Sequence, residues 1–249
     1  MEGREVKDEL IYPAPIAKEA GEDYDDSDPP CLSSHTLAAL QEFFLQNQPS
    51  LDADAADNVE KTENKGVQAD LLPEDWRLSQ FWYDPATAQV VAEELHYLSR
   101  LTASTVACIA CPTLYVQLKK SSPEVEAQIF EFDKRFEKYG TDFIFYDYNQ
   151  PEDLPSIYQH KFQVVVADPP YLSEECLVKV TETMMLLANQ KNAFFLLLTG
   201  KVQQELAAKL LNARPCGFQP THHHKLGNEF MLFTNYDPEE RLGGWVNFS

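Results

Sequence analysis

The most informative stretch of this sequence is Phe162-Gln163-Val164-Val165-Val166-Ala167-Asp168-Pro169-Pro170-Tyr171. Its first six residues are almost all apolar, which is typical of a parallel strand covered on both faces of a sheet. In an open α/β sheet, ligands bind at the carboxyl ends of the strands. The tetrapeptide that follows this strand therefore lies where a functional site is expected.

The tetrapeptide Asp168-Pro169-Pro170-Tyr171 suits the handling of an amine nitrogen. Two prolines fix the backbone and remove two N–H donors, so the carbonyl oxygens stay free to accept hydrogen bonds. An amine could donate to the Asp168 side chain and the Pro169 carbonyl, which would turn its lone pair toward a methyl donor. Tyr171 offers a flat face to an adenine ring or a lysine chain. We predict these four residues to be catalytic; the structural alternative is a proline-stiffened turn between strand and helix.

Short apolar runs alternate with helical patterns around this stretch, which favours a doubly wound, Rossmann-like α/β sheet. The predicted strands are Thr105–Ala110, Ala127–Phe132, Asp142–Tyr146, Phe162–Ala167, Ala193–Thr199 and Phe230–Asn235. The predicted helices are Pro85–Arg100, Glu174–Ala188 and Val202–Leu211. No helix separates the runs around Phe218–His222 and Phe230–Asn235, so we expect a C-terminal antiparallel hairpin and seven strands in all.

The N-terminal part of the chain differs in composition from the rest. Residues 1–30 combine clustered acids with prolines, which predicts a disordered acidic tail. Residues 31–47 predict a short amphipathic helix, either packed on the domain or docking a partner. Residues 48–70 are polar and acidic and predict a linker, which leaves residues 71–249 as the main folded domain.

The charge of the chain is strongly acidic: 20 Lys/Arg and 40 Asp/Glu give a formal net charge of −20. Residues 1–73 hold 5 and 17 of these, a net −12, and residues 74–249 hold 15 and 23, a net −8. Nucleic-acid enzymes normally carry cations that neutralise phosphates, so stable binding of nucleic acid is not expected. An acidic surface suits a basic protein partner, because complementary fields speed encounter.

The sequence gives little support for a membrane protein, a redox protein or a metalloprotein. No apolar run approaches the roughly 20 residues needed to span a bilayer, and the N-terminus lacks the apolar segment of a secretion signal, so we expect a cytoplasmic protein. The sequence contains no second C-x-x-C beside that of Cys108 and Cys111. The two cysteines are therefore interpreted as buried structural residues and not as a redox or zinc site. The run His222–His224 has no further ligand at suitable spacing, and no metal site is predicted. Nothing indicates oligomerisation, so a monomer is expected.

The DPPY motif resembles that of amino-methyltransferases with a seven-stranded fold that binds S-adenosylmethionine. Longer strings narrow the resemblance to the eukaryotic family of elongation factor 1-alpha lysine methyltransferases, formerly grouped with N6-adenine DNA methyltransferases. They are LSSHTLAALQEFF, LSQFWYDPATA, FEFDKRFEKYGTDFIFYDYNQPEDLP, VVVADPPYLSEECL and NEFMLFTNYD. The resemblance covers about residues 32–240. It implies S-adenosylmethionine as the cofactor and a lysine of elongation factor 1-alpha as the substrate.

The resemblance also implies where the cofactor is held. The loop after the first strand contains Ala110-Cys111-Pro112 and no glycine, although many such folds carry G-x-G there. The family shares this glycine-poor loop, so these three residues stay predicted contacts. Trp82 and Tyr83, in an aromatic cluster before the first predicted helix of the domain, could close over the cofactor or the substrate, with core packing as the alternative.

Two acids at strand ends complete the predicted cofactor site. After the second strand, an acid suits the ribose hydroxyls, and we prefer Asp133 to Glu131 because Asp133 sits at the very end. Its alternative role is an ion pair with Lys134 or Arg135. After the third strand, Asp147 could accept from the adenine amino group, or it could cap a turn.

Two rival functions stay open beside lysine methylation. N6-adenine methylation of DNA or RNA is one, because DPPY serves an exocyclic amine equally well. A catalytically inactive binding module is the other, favoured by the glycine-poor loop. The acidic charge speaks against the first rival, and cofactor binding would speak against the second.

Overall fold

The computed structural model describes residues 71–224 and 226–246 of the chain. The predicted tail at residues 1–30, the helix at residues 31–47 and the linker at residues 48–70 lie outside the described residues. In the described part, no helix is both long enough and apolar enough to cross a membrane.

Seven strands form one sheet, as predicted. They are β1 (Val106–Ile109), β2 (Ala127–Glu131), β3 (Phe143–Phe145), β4 (Val164–Ala167), β5 (Phe194–Gly200), β6 (Arg214–Pro215) and β7 (Phe230–Thr234). Their spatial order is β3-β2-β1-β4-β5-β7-β6. The first five are parallel, and β7 runs antiparallel to both β5 and β6. The strand order reverses direction between β1 and β4, which is where such sheets bind ligands.

Within the described residues, four α-helices accompany the sheet: α1 (Pro85–Thr102), α2 (Pro112–Ser121), α3 (Glu174–Leu187) and α4 (Gln204–Leu211). The local sequence explains where two of these helices begin. The side chain of Asp84 accepts a hydrogen bond from the Thr87 amide before α1, and that of Ser173 accepts from the Cys176 amide before α3. Such caps satisfy backbone donors that the first helical turn leaves free, and each contributes about 1 kcal/mol.

The core lies on both faces of the sheet because successive strand side chains point to opposite sides. Val106 and Cys108 of β1 belong to the cluster that packs under α1 and α2. Ala107 and Ile109 belong to the cluster under α3 and α4. All four are fully buried, as expected for a central strand of a doubly wound fold.

Two sequence-based predictions need correction. The strand expected at Phe218–His222 is wrong, because the two-residue strand β6 takes the place beside β7. His222 makes a single antiparallel bridge to Tyr83 instead. The predicted helices also omit α2, which opens with Pro112; proline fits the first helical position, where its missing N–H is not needed.

Candidate active site

A cavity of about 530 Å³ opens at the carboxyl ends of the parallel strands. The ends of β1 to β4 form its floor, and its sides come from residues 78–82 and from residues 226–230 together with His222. The residues that line it from the strand ends are Ala110, Pro112, Glu131, Phe132, Tyr146, Asp147, Tyr148, Asn149, Asp168, Pro169, Pro170, Tyr171 and Leu172. The sides contribute Leu78, Ser79, Gln80, Phe81, Trp82, His222, Leu226, Gly227, Asn228 and Phe230.

All four residues of the tetrapeptide line this cavity. The amide of Asp168 donates to the carbonyl of Ile109 at 3.1 Å, which fixes the start of the tetrapeptide against the end of β1. Pro169 is buried, and Tyr171 is 46% exposed at the mouth with its ring centroid 6.1 Å from that of Tyr148. The tetrapeptide is therefore a wall of the cavity at the point where the strand order reverses.

The carboxyl of Asp168 lies in an acidic, poorly hydrated place. Desolvation raises its pKa to about 8; the nearby Tyr83 hydroxyl opposes this shift, and the charge of Glu131 adds to it. Desolvation also raises the pKa of Glu131 to about 7. Two carboxyl groups with pKa values near neutrality at one cavity are typical of a functional site, since a purely structural acid is usually paired with a cation.

The glycine-poor loop still brings backbone to the cavity. Ala110 has a φ of 51°, the left-handed conformation that glycine adopts most easily, and it lines the cavity with Pro112. The loop is short because helix α2 begins at Pro112. Cys111 lies just before that helix, is 1% exposed and does not line the cavity. Its thiol and that of Cys108 are free and buried, as the structural interpretation of the C-x-x-C predicts.

The two acids near the end of β2, Glu131 and Asp133, have different surroundings in the structure. Asp133 does not line the cavity: its carboxylate accepts from the Gln80 amide at 2.9 Å and from Arg135 Nε at 2.8 Å. This is the ion pair that the sequence left as the alternative role of Asp133. Glu131 is 7% exposed, lines the cavity and accepts from the amide of Asp133 at 3.1 Å. Of the two acids, Glu131 lines the cavity and Asp133 does not, which differs from the preference for Asp133; the cofactor role of either acid stays a prediction.

Asp147 lines the cavity after β3, where the sequence placed it. Its carboxylate also accepts from the Asn149 amide at 2.8 Å, so it caps a turn as well. The two roles are compatible, because a carboxylate has several lone pairs and this bond uses one of them. Tyr146 and Tyr148 flank Asp147 and add aromatic surface to the same wall.

The aromatic cluster before α1 divides into two parts. Trp82 lines the cavity, and its indole N–H donates to the Leu72 carbonyl at 2.8 Å. Tyr83 is 2% exposed and lies behind the wall, with its ring centroid 4.4 Å from that of His222. The sequence predicts Tyr83 as a cofactor or substrate contact, but its side chain faces Asp168 and His222 instead.

Sequence reasoning missed the segment that closes the second side of the cavity. His222 and Phe230 line it with ring centroids 4.6 Å apart. Burial lowers the pKa of His222 to about 4, so its ring is neutral at physiological pH. No group of three or more His, Cys, Asp or Glu suited to a metal ion occurs among the described residues. The only signal in the sequence is the family-like string that begins at Asn228, which by itself indicates no role.

Known proteins resemble this chain over most of its length. A family model described as "Probable N6-adenine methyltransferase" matches residues 74–238. The EEF1A lysine methyltransferase 1 of Mus musculus is 46% identical over 215 residues, which cover 86% of this chain and 95% of the relative. That of Bos taurus is 45% identical over 217 residues, 86% of this chain and 91% of the relative. A protein-lysine N-methyltransferase of Drosophila melanogaster is 36% identical over 221 residues, 85% of this chain and 96% of the relative.

These likenesses confirm the family predicted from DPPY and the longer strings. The identities extend well beyond the motif, and the chain covers nearly all of each relative. The seven-stranded sheet with the motif after β4 fits the same assignment. The chain belongs to the EEF1A lysine methyltransferase 1 family of protein-lysine N-methyltransferases.

Proposed function

We propose that this chain transfers a methyl group from S-adenosylmethionine to a lysine side chain of elongation factor 1-alpha. The observation that carries the proposal is Asp168, a half-buried residue at the wall of a cavity where the strand order reverses, followed by Pro169. The names of the relatives support lysine and elongation factor 1-alpha as the substrate. Residues 71–249 are proposed as the catalytic domain of a cytoplasmic monomer.

The residues at the strand ends fit the cofactor. The buried carboxylate of Glu131 can accept from the ribose hydroxyls, because no salt bridge in the described chain occupies it. Asp147 can accept from the adenine amino group, and Ala110 brings backbone close to the ligand. When bound, S-adenosylmethionine supplies a methyl group on a sulfonium, which carries its own activated leaving group.

On the substrate side, the protein must orient an uncharged amine. Free lysine has a pKa near 10.4, so its ammonium must lose a proton before the nitrogen can attack. Ionised Asp168 and the Pro169 carbonyl accept the N–H groups and so point the lone pair at the methyl group. The proton that the ammonium loses leaves to water, so Asp168 stays ionised while the nitrogen attacks.

Adenine methylation is the second candidate because the matching family model carries that description. The electrostatics of the site oppose it. Glu131, Asp147 and Asp168 line the cavity, and no Lys or Arg does so among the described residues. Phosphates would need cations close to the flipped base, and a protein lysine would not.

The test is methyl transfer from labelled S-adenosylmethionine, with elongation factor 1-alpha, bulk DNA and bulk RNA offered in parallel. We expect label in the protein, and its loss when the acceptor lysine is replaced by arginine. Asp168→Ala should abolish transfer and leave cofactor binding largely intact. Asp237→Ala, which removes an exposed carboxylate outside the cavity, is the matched control.

Three results would contradict the proposal in different ways. Label in nucleic acid alone would favour adenine methylation. Loss of cofactor binding in Asp168→Ala would assign Asp168 to the cofactor. No rise in melting temperature with S-adenosylmethionine far above micromolar concentration would favour an inactive binding module, since a ligand that binds the folded state must stabilise it.

A further inference from the structure

The hydroxyl of Tyr83 is a buried polar group without a hydrogen-bond partner. The residue is 2% exposed, and no atom in the described chain lies in hydrogen-bonding geometry with its hydroxyl. Leaving a buried donor unsatisfied is unfavourable, and native proteins rarely do so without a functional reason. The hydroxyl nevertheless lies close enough to the Asp168 carboxyl for each group to shift the pKa of the other.

Backbone pairing holds Tyr83 in this place. Its neighbours on both sides are bonded to the segment that closes the cavity: the Asp84 amide donates to the Thr221 carbonyl at 3.0 Å, and the His223 amide donates to the Trp82 carbonyl at 2.9 Å. The Tyr83 ring also packs on the His222 ring. Because the backbone is hydrogen-bonded on both sides of Tyr83, the fold sets the direction in which the Tyr83 hydroxyl points.

The other groups around Asp168 do not favour its charge. Glu131, from the end of β2, is acidic and raises the pKa of Asp168. Cys111, before α2, is a neutral thiol whose pKa burial raises well above its usual value. Tyr83 itself stays a neutral donor, because burial and the nearby Asp168 hold its pKa well above the ordinary range. Of these three groups, only Tyr83 offers a hydrogen bond suited to a carboxylate.

We infer that Tyr83 is a positioning residue whose hydroxyl donates to the ionised carboxylate of Asp168 and holds it in the form that accepts the N–H of the substrate amine. The inference rests on the proposed function. A protonated Asp168 would donate to the amine, occupy its lone pair and prevent attack on the methyl group. A donor fixed behind the carboxylate favours the charged form and leaves the other lone pairs for the substrate.

The inference is tested with Tyr83→Phe, which removes the hydroxyl and keeps the ring against His222. Loss of a bond to the charged form should raise the pKa of Asp168 by about 1. Tyr115→Phe is the matched control, because it removes another buried hydroxyl, which donates to Asp142 at 2.8 Å and does not line the cavity. The control should leave the pKa of Asp168 unchanged.

The first measurement needs no substrate: the ¹³C chemical shift of the Asp168 carboxyl in cofactor-free protein is titrated with pH, and Asp168→Asn assigns the signal. The second is the pH profile of kcat/KM for methyl transfer. In Tyr83→Phe, the activity at pH 7 should fall about tenfold and recover above pH 9. The reason is that well below the pKa of a carboxyl, its ionised fraction falls about tenfold when that pKa rises by 1.

The two measurements separate the possible failures. An unchanged Asp168 titration in folded Tyr83→Phe overturns the inference, even if the proposed function holds. A shifted titration in a protein that methylates no lysine supports the contact and overturns the proposed function. A loss of activity equal at every pH would assign Tyr83 a packing role only. If Tyr83→Phe fails to fold, Asp168 titrated in Tyr83→Leu, which is smaller and carries no hydrogen-bond donor, gives the same comparison.

Discussion

Glu131 and Asp133 lie two residues apart at the end of β2, yet their surroundings are opposite. Glu131 is buried at the cavity and forms no salt bridge in the described chain, and desolvation raises its pKa to about 7. Burial also disfavours the charge of Asp133, but the bonds from Arg135 and Gln80 outweigh it and hold its pKa below the usual value. The Glu131 carboxylate is therefore available to a ligand, and the Asp133 carboxylate stabilises the fold through its bonds with Arg135 and Gln80.

A pair of amide variants tests this division at the residue scale. Glu131→Gln should weaken the binding of S-adenosylmethionine about tenfold or more without lowering the melting temperature at neutral pH, because a ligand contact is lost and a desolvated charge is removed. Asp133→Asn should lower the free energy of unfolding by about 1–3 kcal/mol, the typical cost of a charge-assisted hydrogen bond. Isothermal titration with the cofactor and chemical denaturation measure the two effects.

The opposite pattern would restore the sequence-based preference. If Asp133→Asn weakened cofactor binding more than Glu131→Gln at equal stability, Asp133 would be the ribose acid.

The stability of Glu131→Gln relative to the unchanged protein should also depend on pH in one direction. A carboxyl with a raised pKa is protonated in the folded state between its unfolded and folded pKa values, so it lowers stability as pH rises through about 7. Glu131→Gln should therefore gain relative stability from about pH 5 to about pH 8.

At the scale of elements, a buried ion pair joins helix α1 to the 3-10 helix Glu239–Leu242 near the C-terminus. Glu94 of α1 is 2% exposed and accepts from Arg241 Nε at 2.7 Å and from the Tyr236 hydroxyl at 2.9 Å. The guanidinium of Arg241 also stacks on Tyr97, 4.2 Å from the ring centroid. This cluster fastens the end of the described chain to the first helix.

Arg241→Ala should lower the free energy of unfolding by about 3–5 kcal/mol, because it leaves the buried carboxylate of Glu94 without its cation. The matched control is Arg77→Ala, which removes an equally short ion pair near the start of the domain, with Asp75 at 2.7 Å. Since the Arg77 side chain is 89% exposed, that change should cost no more than about 1 kcal/mol. Urea denaturation of both variants checks the contrast, and equal losses would mean that the Glu94 cluster stabilises no more than a surface pair.

At the scale of the whole molecule, the net charge of −20 is the dominant electrostatic feature. A chain of this charge attracts a basic protein surface and repels polyanions over distances set by the salt concentration. Encounter with a basic protein substrate is then faster at low salt, and the chemical step inside the cavity is little affected.

Raising NaCl from about 0.05 M to about 0.3 M should therefore lower kcat/KM for full-length elongation factor 1-alpha several-fold and leave kcat nearly constant, because screening slows encounter. The control substrate is a short peptide around the acceptor lysine, whose small charge should give a much weaker salt dependence. Initial rates of methyl transfer measure both. A kcat/KM for the full-length substrate that stays constant or rises with salt would show that the acidic charge does not steer this substrate.

Local sequence patterns predicted the order of most strands and helices and the position of Asp168–Tyr171 at the carboxyl end of a buried strand. These features follow from local patterns: apolar runs, helical spacing and prolines act on neighbouring residues. The same local logic failed at Phe218–His222, which forms no strand beside β7; its His222 makes a single bridge to the distant Tyr83 instead.

The different surroundings of Glu131 and Asp133 arise only in the folded chain. Glu131 is the last residue of β2 and Asp133 lies two residues beyond it, before a 3-10 helix, so their positions along the sequence do not show which carboxylate is paired with a cation. The difference comes from Gln80, which lies 53 residues away in sequence and binds Asp133. The environment of Asp168 could not be predicted from the sequence either, because Tyr83 and Glu131 come close to it only in the folded chain. Contacts between distant residues set the burial and the charge environment of each acid, and these determine which carboxylate is paired within the fold and which one faces the cavity.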